Sequence, residues 1–475
     1  MKIAALQLLS FATLVLLMAG CVEAPPPSSL TTQWNAPNDA KKQDRVWDTV
    51  RAEKPDLTKP LTLFELADLA LQNNAATRRA WHEARAASEQ VRFTEGYFIP
   101  NLTAGVGMTR VTTAAHPDSF DQNSLTYGPG LQLSYLVCNF GGGRSAAVEQ
   151  ALQTVYAANF AFNQAVQDTL LSAQLAYYNV ISAQAGVETA ATNSLDARVI
   201  LDAATERRNA GVGVDLDVLQ ARTIYDQSLY ALASAQGQQQ IGWGLLAQAV
   251  GLPADTQLQI AMPATNMPAS LSKTDLRRFI DAALARRPDL SALRSTLAAR
   301  EAAIKVANAT RWPSLYLNGS VARDYYELYG LNNRAAAAND WAYTGGLSLK
   351  WNLFDGFQTL SSKRIAEAQA EAMRAQVKLV ELGASAEIWS RFQNYETALH
   401  KYDFSLSALT SATAAWQLAL DSYKAGVKSI LDVLTAETQL AQARGQHIVA
   451  RQDVFTALAQ LAHATGAIEK GPQHE

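Results

Sequence analysis

The segment that decides the fold is residues 342–353, AYTGGLSLKWNL, in which side-chain character alternates with a period of two. One set of alternate positions holds mainly large apolar side chains: Tyr343, Gly345, Leu347, Leu349, Trp351 and Leu353. The positions between them are small or polar. Because successive side chains of a strand point to opposite faces, this pattern predicts a β-strand with one apolar face. Its length and its aromatic residues are typical of a strand that crosses a membrane within a β-barrel.

Three more segments alternate in the same way, so the chain is predicted to contain four strands. They lie at about 101–111, 126–138, 314–326 and 342–353, and the polar segments 112–124 and 327–340 predict extracellular loops. A sheet that spans a bilayer must close so that no backbone edge faces lipid, and the smallest bacterial barrels have about eight strands. Four strands therefore predict a barrel shared among copies of the chain, in a dimer, a trimer or a higher ring. A soluble sheet with one wet face is the alternative.

The chain contains two copies of one pattern, which reads helix, strand, strand, long helix, long helix. Landmarks recur in the same order at nearly constant separation: Pro100 and Pro313, Phe140 and Phe354, Gly211 and Gly426, Asp217 and Asp432, and Gly251 and Gly466. We therefore predict a tandem duplication, with a first repeat over 61–253, a linker over 254–272, a second repeat over 273–468 and a C-terminal tail over 469–475.

The helices that follow the strands are exceptionally long. Proline is absent from Arg144 to Asn209 and from Gln358 to Ala425, and each stretch contains a single glycine. About 65 helical residues rise close to 100 Å, whereas helices of globular proteins average about 11 to 12 residues. Small side chains recur along both stretches, so we expect closely packed, coiled-coil-like helices. A shorter helix is predicted over residues 61–92, ahead of the first strand.

The N-terminus is predicted to export and anchor the chain. Residues 1–20 have the positive start, apolar stretch and small final residues of a signal peptide. The run Leu17-Met18-Ala19-Gly20-Cys21 resembles a bacterial lipobox, so Cys21 is the expected lipid anchor, acylated for example with palmitate. Val22 after the cysteine favours, by the same resemblance, sorting to the outer membrane. Residues 21–60 then form an extended tether. An ordinary cleaved signal with an incidental cysteine is the alternative.

Composition excludes several other classes of function. With 40 Lys+Arg against 43 Asp+Glu and a net charge of −3, the chain lacks the basic surplus of a nucleic-acid-binding protein. The six histidines have no metal-ligand spacing: His82, His116, His400, His447, His463 and His474. The glycine-rich run that precedes Arg144 lacks the Gly-Lys-Ser/Thr ending of a phosphate loop. We therefore expect no cofactor, no metal centre and no enzymatic activity.

The duplicated pattern and its motifs resemble the TolC family of outer-membrane efflux proteins over about residues 61–468. The resemblance rests on the Phe-x-Gly turns that enter the long helices, and on the run from Tyr423 to Leu434. The turns contain Phe140 and Gly142, and Phe354 and Gly356. It implies an α+β membrane protein in which a homotrimer forms a twelve-stranded transmembrane β-barrel and a long periplasmic coiled-coil barrel. The lipobox resembles that of the lipidated branch serving resistance-nodulation-division pumps.

The function implied by this resemblance is that of an outer-membrane channel in a tripartite efflux system. Its partners would be a periplasmic adaptor (a membrane fusion protein) and an inner-membrane pump, and it would be a passive export duct for small molecules such as drugs. Ducts for type I protein secretion or metal efflux would share the fold. A non-conducting, lipid-anchored coiled-coil tether is the alternative from another class, but a tether does not need the alternating strands.

The resemblance also implies a gate near the periplasmic ends of the helices, where Gly211 and Gly426 are predicted to form hairpin turns. Tyr423, Lys428 and Asp432 match the aromatic, basic and first acidic gate positions of the family, and Asp217 matches an acidic position of the first repeat. Thr435 stands where some members carry a second acid. Alternatively, Asp217 is an ordinary charge near a helix N-terminus, and Lys428 with Asp432 is an ordinary i,i+4 pair.

Overall fold

The structure is a computed structural model that describes residues 59–113, 122–261, 267–268, 270–271, 273–329 and 335–466. The predicted signal peptide, Cys21 and nearly all of the tether lie outside the described residues. So do His116, His474 and the tail over 469–475.

The two halves of the chain carry the same elements in the same order. The first half contains α1 (Leu63–Asn73), α2 (Ala75–Glu95), β1 (Asn101–Thr113), β2 (Gln122–Asn139), α3 (Gly143–Asn209) and α4 (Asp215–Val250). The second half contains α5 (Lys273–Arg286), α6 (Pro288–Ala309), β3 (Ser314–Tyr329), β4 (Ala335–Lys350), α7 (Gln358–Lys424) and α8 (Ile430–Ala464). No helix in the described part of the chain combines the length and hydropathy needed for a bilayer span.

The predicted single helix over 61–92 is wrong, because the chain breaks at Asn74. Asn74 has extended backbone angles (φ −66°, ψ 129°), and its N–H still donates to Ala70 as the C-cap of α1. Its side-chain Oδ1 accepts the Ala76 N–H at 2.8 Å, and the Thr77 hydroxyl donates to its carbonyl, also at 2.8 Å. An asparagine that accepts a backbone N–H two residues later is a helix N-cap, so α2 starts anew here.

The four strands form one antiparallel sheet in the order β1-β2-β3-β4. Backbone pairing continues to Thr113 with Gln122 and to Tyr329 with Ala335, well inside the segments expected as loops. In the other direction β4 ends at Lys350, short of the predicted residue 353. Strand pairing depends on backbone hydrogen bonds rather than on the side-chain pattern. The strands therefore continue beyond the alternating residues at the hairpin ends, whereas β4 ends before the alternation does.

The register separates the sheet into an apolar and a polar face. One row across all four strands is Ala104, Leu131, Val321 and Tyr343, and the adjacent row is Thr103, Gln132, Ser320 and Thr344. In the apolar row, Leu131 and Tyr343 are 48% and 71% exposed. β1 and β4 pair on one side only, so within the described chain the sheet has two open edges and an uncovered apolar face.

The chain divides into two compact units, and α3 and α7 each contribute to both. The sheet unit includes Arg85–Ala157 and Leu293–Gln376. The bundle unit includes the described residues 59–84 and those within Ala158–Ala292 and Val377–Glu475. In the bundle unit, separate apolar clusters join α1, α3 and α4 around Tyr177, and α5, α7 and α8 around Tyr395.

Candidate functional site at the helix turns

Two equivalent turns join α3 to α4 and α7 to α8. Gly211 and Gly426 occupy them with φ of 75° and 79°, the left-handed region that glycine enters without steric cost. The Gly211 N–H donates to Arg208 and the next N–H to Arg207; the Gly426 N–H donates to Tyr423 and the next to Ser422. Glycine at this position with paired bonds to the preceding turn is the usual helix C-terminal motif. These glycines therefore end α3 and α7 and reverse the chain.

An apolar core holds the four helix ends together in the bundle unit; we call it the turn cluster. Its buried members are Ile200, Ala203, Ala204, Ala221, Leu420, Tyr423, Ile430, Val433 and Leu434. Because α3, α4, α7 and α8 all contribute, a change in the packing of one helix end affects the side chains on the others.

Asp432 is committed to the N-terminus of α8. The Ser429 N–H and hydroxyl donate to its Oδ2 at 3.0 and 2.8 Å, and the Asp432 N–H returns a bond to the Ser429 hydroxyl. These bonds from Ser429 hold the pKa of Asp432 below its usual value. The Lys428 Nζ lies 3.9 Å from Oδ1, and both side chains are exposed. Asp432 is therefore a capping-box acid that also pairs with Lys428.

Asp217 is the equivalent acid at the start of α4, but its surroundings differ. The N-cap of α4 is Val214, whose side chain cannot cap, so the Asp217 carboxylate is not held there as Asp432 is. Instead it acts on Tyr423 of α7. Burial is the main cause that raises the pKa of Tyr423, and the charge of Asp217 is the second. The turn cluster thus brings Asp217 and Tyr423 together across two helices.

Arg207 completes this arrangement, and the sequence did not reveal it. Its guanidinium lies over the Tyr423 ring, 4.9 Å from the centroid, and its Nη1 donates to the Tyr423 carbonyl at 2.8 Å. Tyr423 is only 2% exposed, and its buried hydroxyl interacts with the Asp217 carboxylate. The counterpart of Arg207 in the second repeat is Ser422, so the duplication gave no signal. A basic residue in a last helical turn is ordinarily explained by the helix dipole.

The predicted site residues therefore form two sets. Tyr423 meets Asp217 and the unpredicted Arg207, whereas Lys428 meets Asp432. No ion pair joins the two sets in the described part of the chain.

The strand-to-helix turns lie in the sheet unit and are closed by their own side chains. Gly142 and Gly356 adopt φ of 70° and 64°. Asn139 Oδ1 accepts the N–H groups of Gly141 and Gly143 at 3.1 and 3.3 Å. Because these amides are already bonded, the glycine-rich run offers no cradle for phosphate. Phe140 and Phe354, the aromatic residues of the two turns, are both exposed.

Known proteins with similar sequences and structures share this architecture. The family model described as outer membrane efflux protein matches residues 66–252 and 279–467. The chain is 29% identical over 407 residues to Protein CyaE of Bordetella pertussis, covering 85% of this chain and 84% of that protein. It is 23% identical over 475 residues to the pyoverdine export outer membrane protein OpmQ of Pseudomonas putida, covering 95% of each. The solved structure of the outer-membrane channel OprN shares the fold, with a TM-score of 0.73 at 21% identity, covering 92% of this chain and 99% of that one.

Proposed function

Because the chain belongs to the outer membrane efflux protein family, we propose that it is a passive export duct for small molecules, gated at its helix turns. Membership itself makes the chain an outer-membrane channel component of a tripartite efflux system. It acts as a homotrimer with a periplasmic adaptor and an inner-membrane pump. Members of the family are channel proteins rather than enzymes.

The observation that best supports an export duct is that the four-stranded sheet does not close on itself. It has two open edges and an exposed apolar face, and lipid can cover that face only if backbone pairing closes the edges. Three copies supply twelve strands to one barrel, whose polar face then lines a water-filled passage. The row of that face formed by Thr103, Gln132, Ser320 and Thr344 is uncharged. This supports a passage that does not select its cargo by charge at the position of these residues. OpmQ is a pyoverdine export protein, and its similarity to the chain also supports a small-molecule cargo.

Conductance of the purified trimer in planar bilayers tests the duct. We expect discrete, long-lived openings with single-channel steps. Membranes that stay at baseline after verified insertion of the trimer would contradict the proposal. They would instead favour a non-conducting tether.

The gate is tested by the pair Lys428→Ala with Asp432→Ala, which removes the acid of the capping box and its ion pair but leaves the N-cap Ser429 in place. Loss of an exposed acid near a helix N-terminus costs about 0.3–1 kcal/mol, so we expect the turn to loosen and the conductance to rise. The matched control is Lys363→Ala with Glu367→Ala, an i,i+4 pair at 3.2 Å on α7 in the sheet unit. Equal conductance in wild type and in the Lys428/Asp432 variant would refute the gate.

We also propose that Cys21 carries the lipid anchor, on the strength of the lipobox resemblance. Several acyl chains bind a membrane firmly, since each buried methylene contributes about 0.8 kcal/mol. Labelling cells with palmitate should mark the wild-type protein and not Cys21→Ala, with Cys138→Ala as the control. A label that persists in Cys21→Ala would place any acylation elsewhere.

A further inference from the structure

Glu437 is a carboxyl buried in the bundle unit, immediately beyond the turn cluster on α8. It is 3% exposed, and in the described part of the chain its Oε2 has no hydrogen-bond partner. Val433 and Leu434, which precede it by one turn, are members of the turn cluster. An ionised carboxylate in such a position is costly unless a cation and hydrogen bonds compensate it.

The groups around Glu437 supply that compensation only in part. Arg444 on the same helix is already engaged by α3, where its Nη1 lies 2.7 Å from Asp196 Oδ2 and 2.6 Å from Asn193 Oδ1. Asp196 has the same sign of charge as ionised Glu437. From α7 comes Trp416, whose buried indole N–H approaches the carboxyl without the geometry of a full hydrogen bond and is the smallest of the four influences on Glu437. Three helices therefore enclose a carboxyl that fits best in its neutral form.

The protonation equilibrium follows from these surroundings. Burial first, and then the charge of Asp196, raise the pKa of Glu437 to about 7, whereas Arg444 and Trp416 act in the opposite direction. Because the folded pKa lies above the usual value of 4.5, the protonated form favours the packed state. This contribution is fully present below about pH 4.5 and is lost as the pH rises through about 7.

We propose that Glu437 is a pH-sensitive switch, whose protonated form keeps α3, α7 and α8 packed next to the turn cluster and whose ionisation loosens them. The carboxyl needs no ligand for this role, because the charge itself changes the packing. Local opening, which returns Glu437 to water, becomes easier at higher pH. The consequence for conductance rests on the proposed gate, but the change in packing does not.

Hydrogen–deuterium exchange on the purified trimer measures the local opening directly, in peptides that cover residues 424–445. After correction for intrinsic exchange, the opening constant of the wild type should rise about tenfold from pH 6 to pH 8. That is the difference between titrating one group with a pKa near 4.5 in the open form and near 7 in the packed form. In Glu437→Gln, which imitates the neutral acid, the opening constant should stay constant.

The matched control is Asp453→Asn, which removes one negative charge from the same helix at an exposed pair with Lys401. It should retain the wild-type pH dependence. A second variant covers the case in which Glu437→Gln does not assemble. Asp196→Asn removes the like charge and frees Arg444, so the midpoint of the transition should move to lower pH.

A wild-type opening constant that does not change between pH 6 and pH 8 overturns the switch. So does a pH dependence that survives in Glu437→Gln. Conductance recorded in parallel separates this proposal from the proposed export function. A protein that never conducts would contradict the export duct, whereas the hydrogen-exchange data would still test the pH-sensitive switch.

Discussion

At the scale of single residues, the turn cluster owes its most specific contact to Arg207. A desolvated cation over an aromatic ring contributes about 2 kcal/mol, and a hydrogen bond from a charged donor about 1.5–3 kcal/mol. Arg207 makes both interactions with Tyr423, and its Nη2 also reaches the Val212 carbonyl at 3.4 Å. It therefore ties the end of α3 to the end of α7 and to its own turn.

Arg207→Ala should destabilise these helix ends by about 2 kcal/mol, because it removes the cation–π contact and one of the two hydrogen bonds to the Tyr423 carbonyl, which keeps only the Gly426 N–H. Faster hydrogen exchange in residues 200–215 and 416–430 would show the loss. Arg208→Ala is the control on the neighbouring residue, since its ion pair with Asp215 at 3.4 Å is exposed and is expected to contribute at most about 1 kcal/mol. Equal effects of the two substitutions would rule out this role for Arg207.

The residue scale also shows how far the candidate site was predictable. The glycine of each turn followed from its spacing, because a helix that stops at a glycine is encoded locally. The association of Asp217 with Tyr423 joins positions about two hundred residues apart, so it depends on how α4 packs against α7. Arg207 was missed for the same reason, and the resemblance to a gate position gave no sign that Asp432 forms a capping box with Ser429.

At the scale of elements, the boundary between α1 and α2 is fixed by the end of α4. Asn74 Nδ2 donates to the Ala249 carbonyl at 3.1 Å, and Gly251 follows with a φ of 84°. A Cβ at Gly251 would lie 2.7 Å from the carbonyl carbon and oxygen of Asn73. The glycine is therefore required twice, by its backbone conformation and by the close approach of α1.

Gly251→Ala should lower the free energy of unfolding by more than the 1–2 kcal/mol or so that a left-handed backbone alone costs, because the methyl group also collides with backbone. Gly237→Ala is the matched control in the middle of α4, where a Cβ meets nothing within 4 Å. Replacing a helical glycine by alanine there should stabilise by about 0.5–1 kcal/mol. Chemical denaturation of both variants gives the two signs, and a neutral Gly251→Ala would disprove the packing argument.

At the scale of the whole molecule, the trimer turns single pairs of side chains into rings. Asp324 and Asp340 are directly opposite on β3 and β4, on the polar face and towards the hairpin ends of these strands. Three copies place six carboxylates around one passage. Rings of carboxylates favour cations in channels.

Asp324→Asn with Asp340→Asn should therefore reduce the preference for K⁺ over Cl⁻, measured as a shift of the reversal potential in a salt gradient towards zero. Glu327→Gln removes one charge from the opposite face of β3 and serves as the control. A reversal potential that the double variant leaves unchanged would mean that selectivity is set elsewhere in the channel.

The sequence by itself determined the number of strands, the order of strands and long helices, the duplicated pattern, the separation of the sheet into two faces and the ends of the long helices. Each of these follows from local rules: alternation with a period of two, absence of proline, and glycine where the chain must turn. The tertiary structure alone decided the break at Asn74, the full length of the strands, the place of Arg207 over Tyr423 and the burial of Glu437. These features depend on backbone pairing and on side chains from distant helices, and the sequence of a single segment does not specify which segments pack against it.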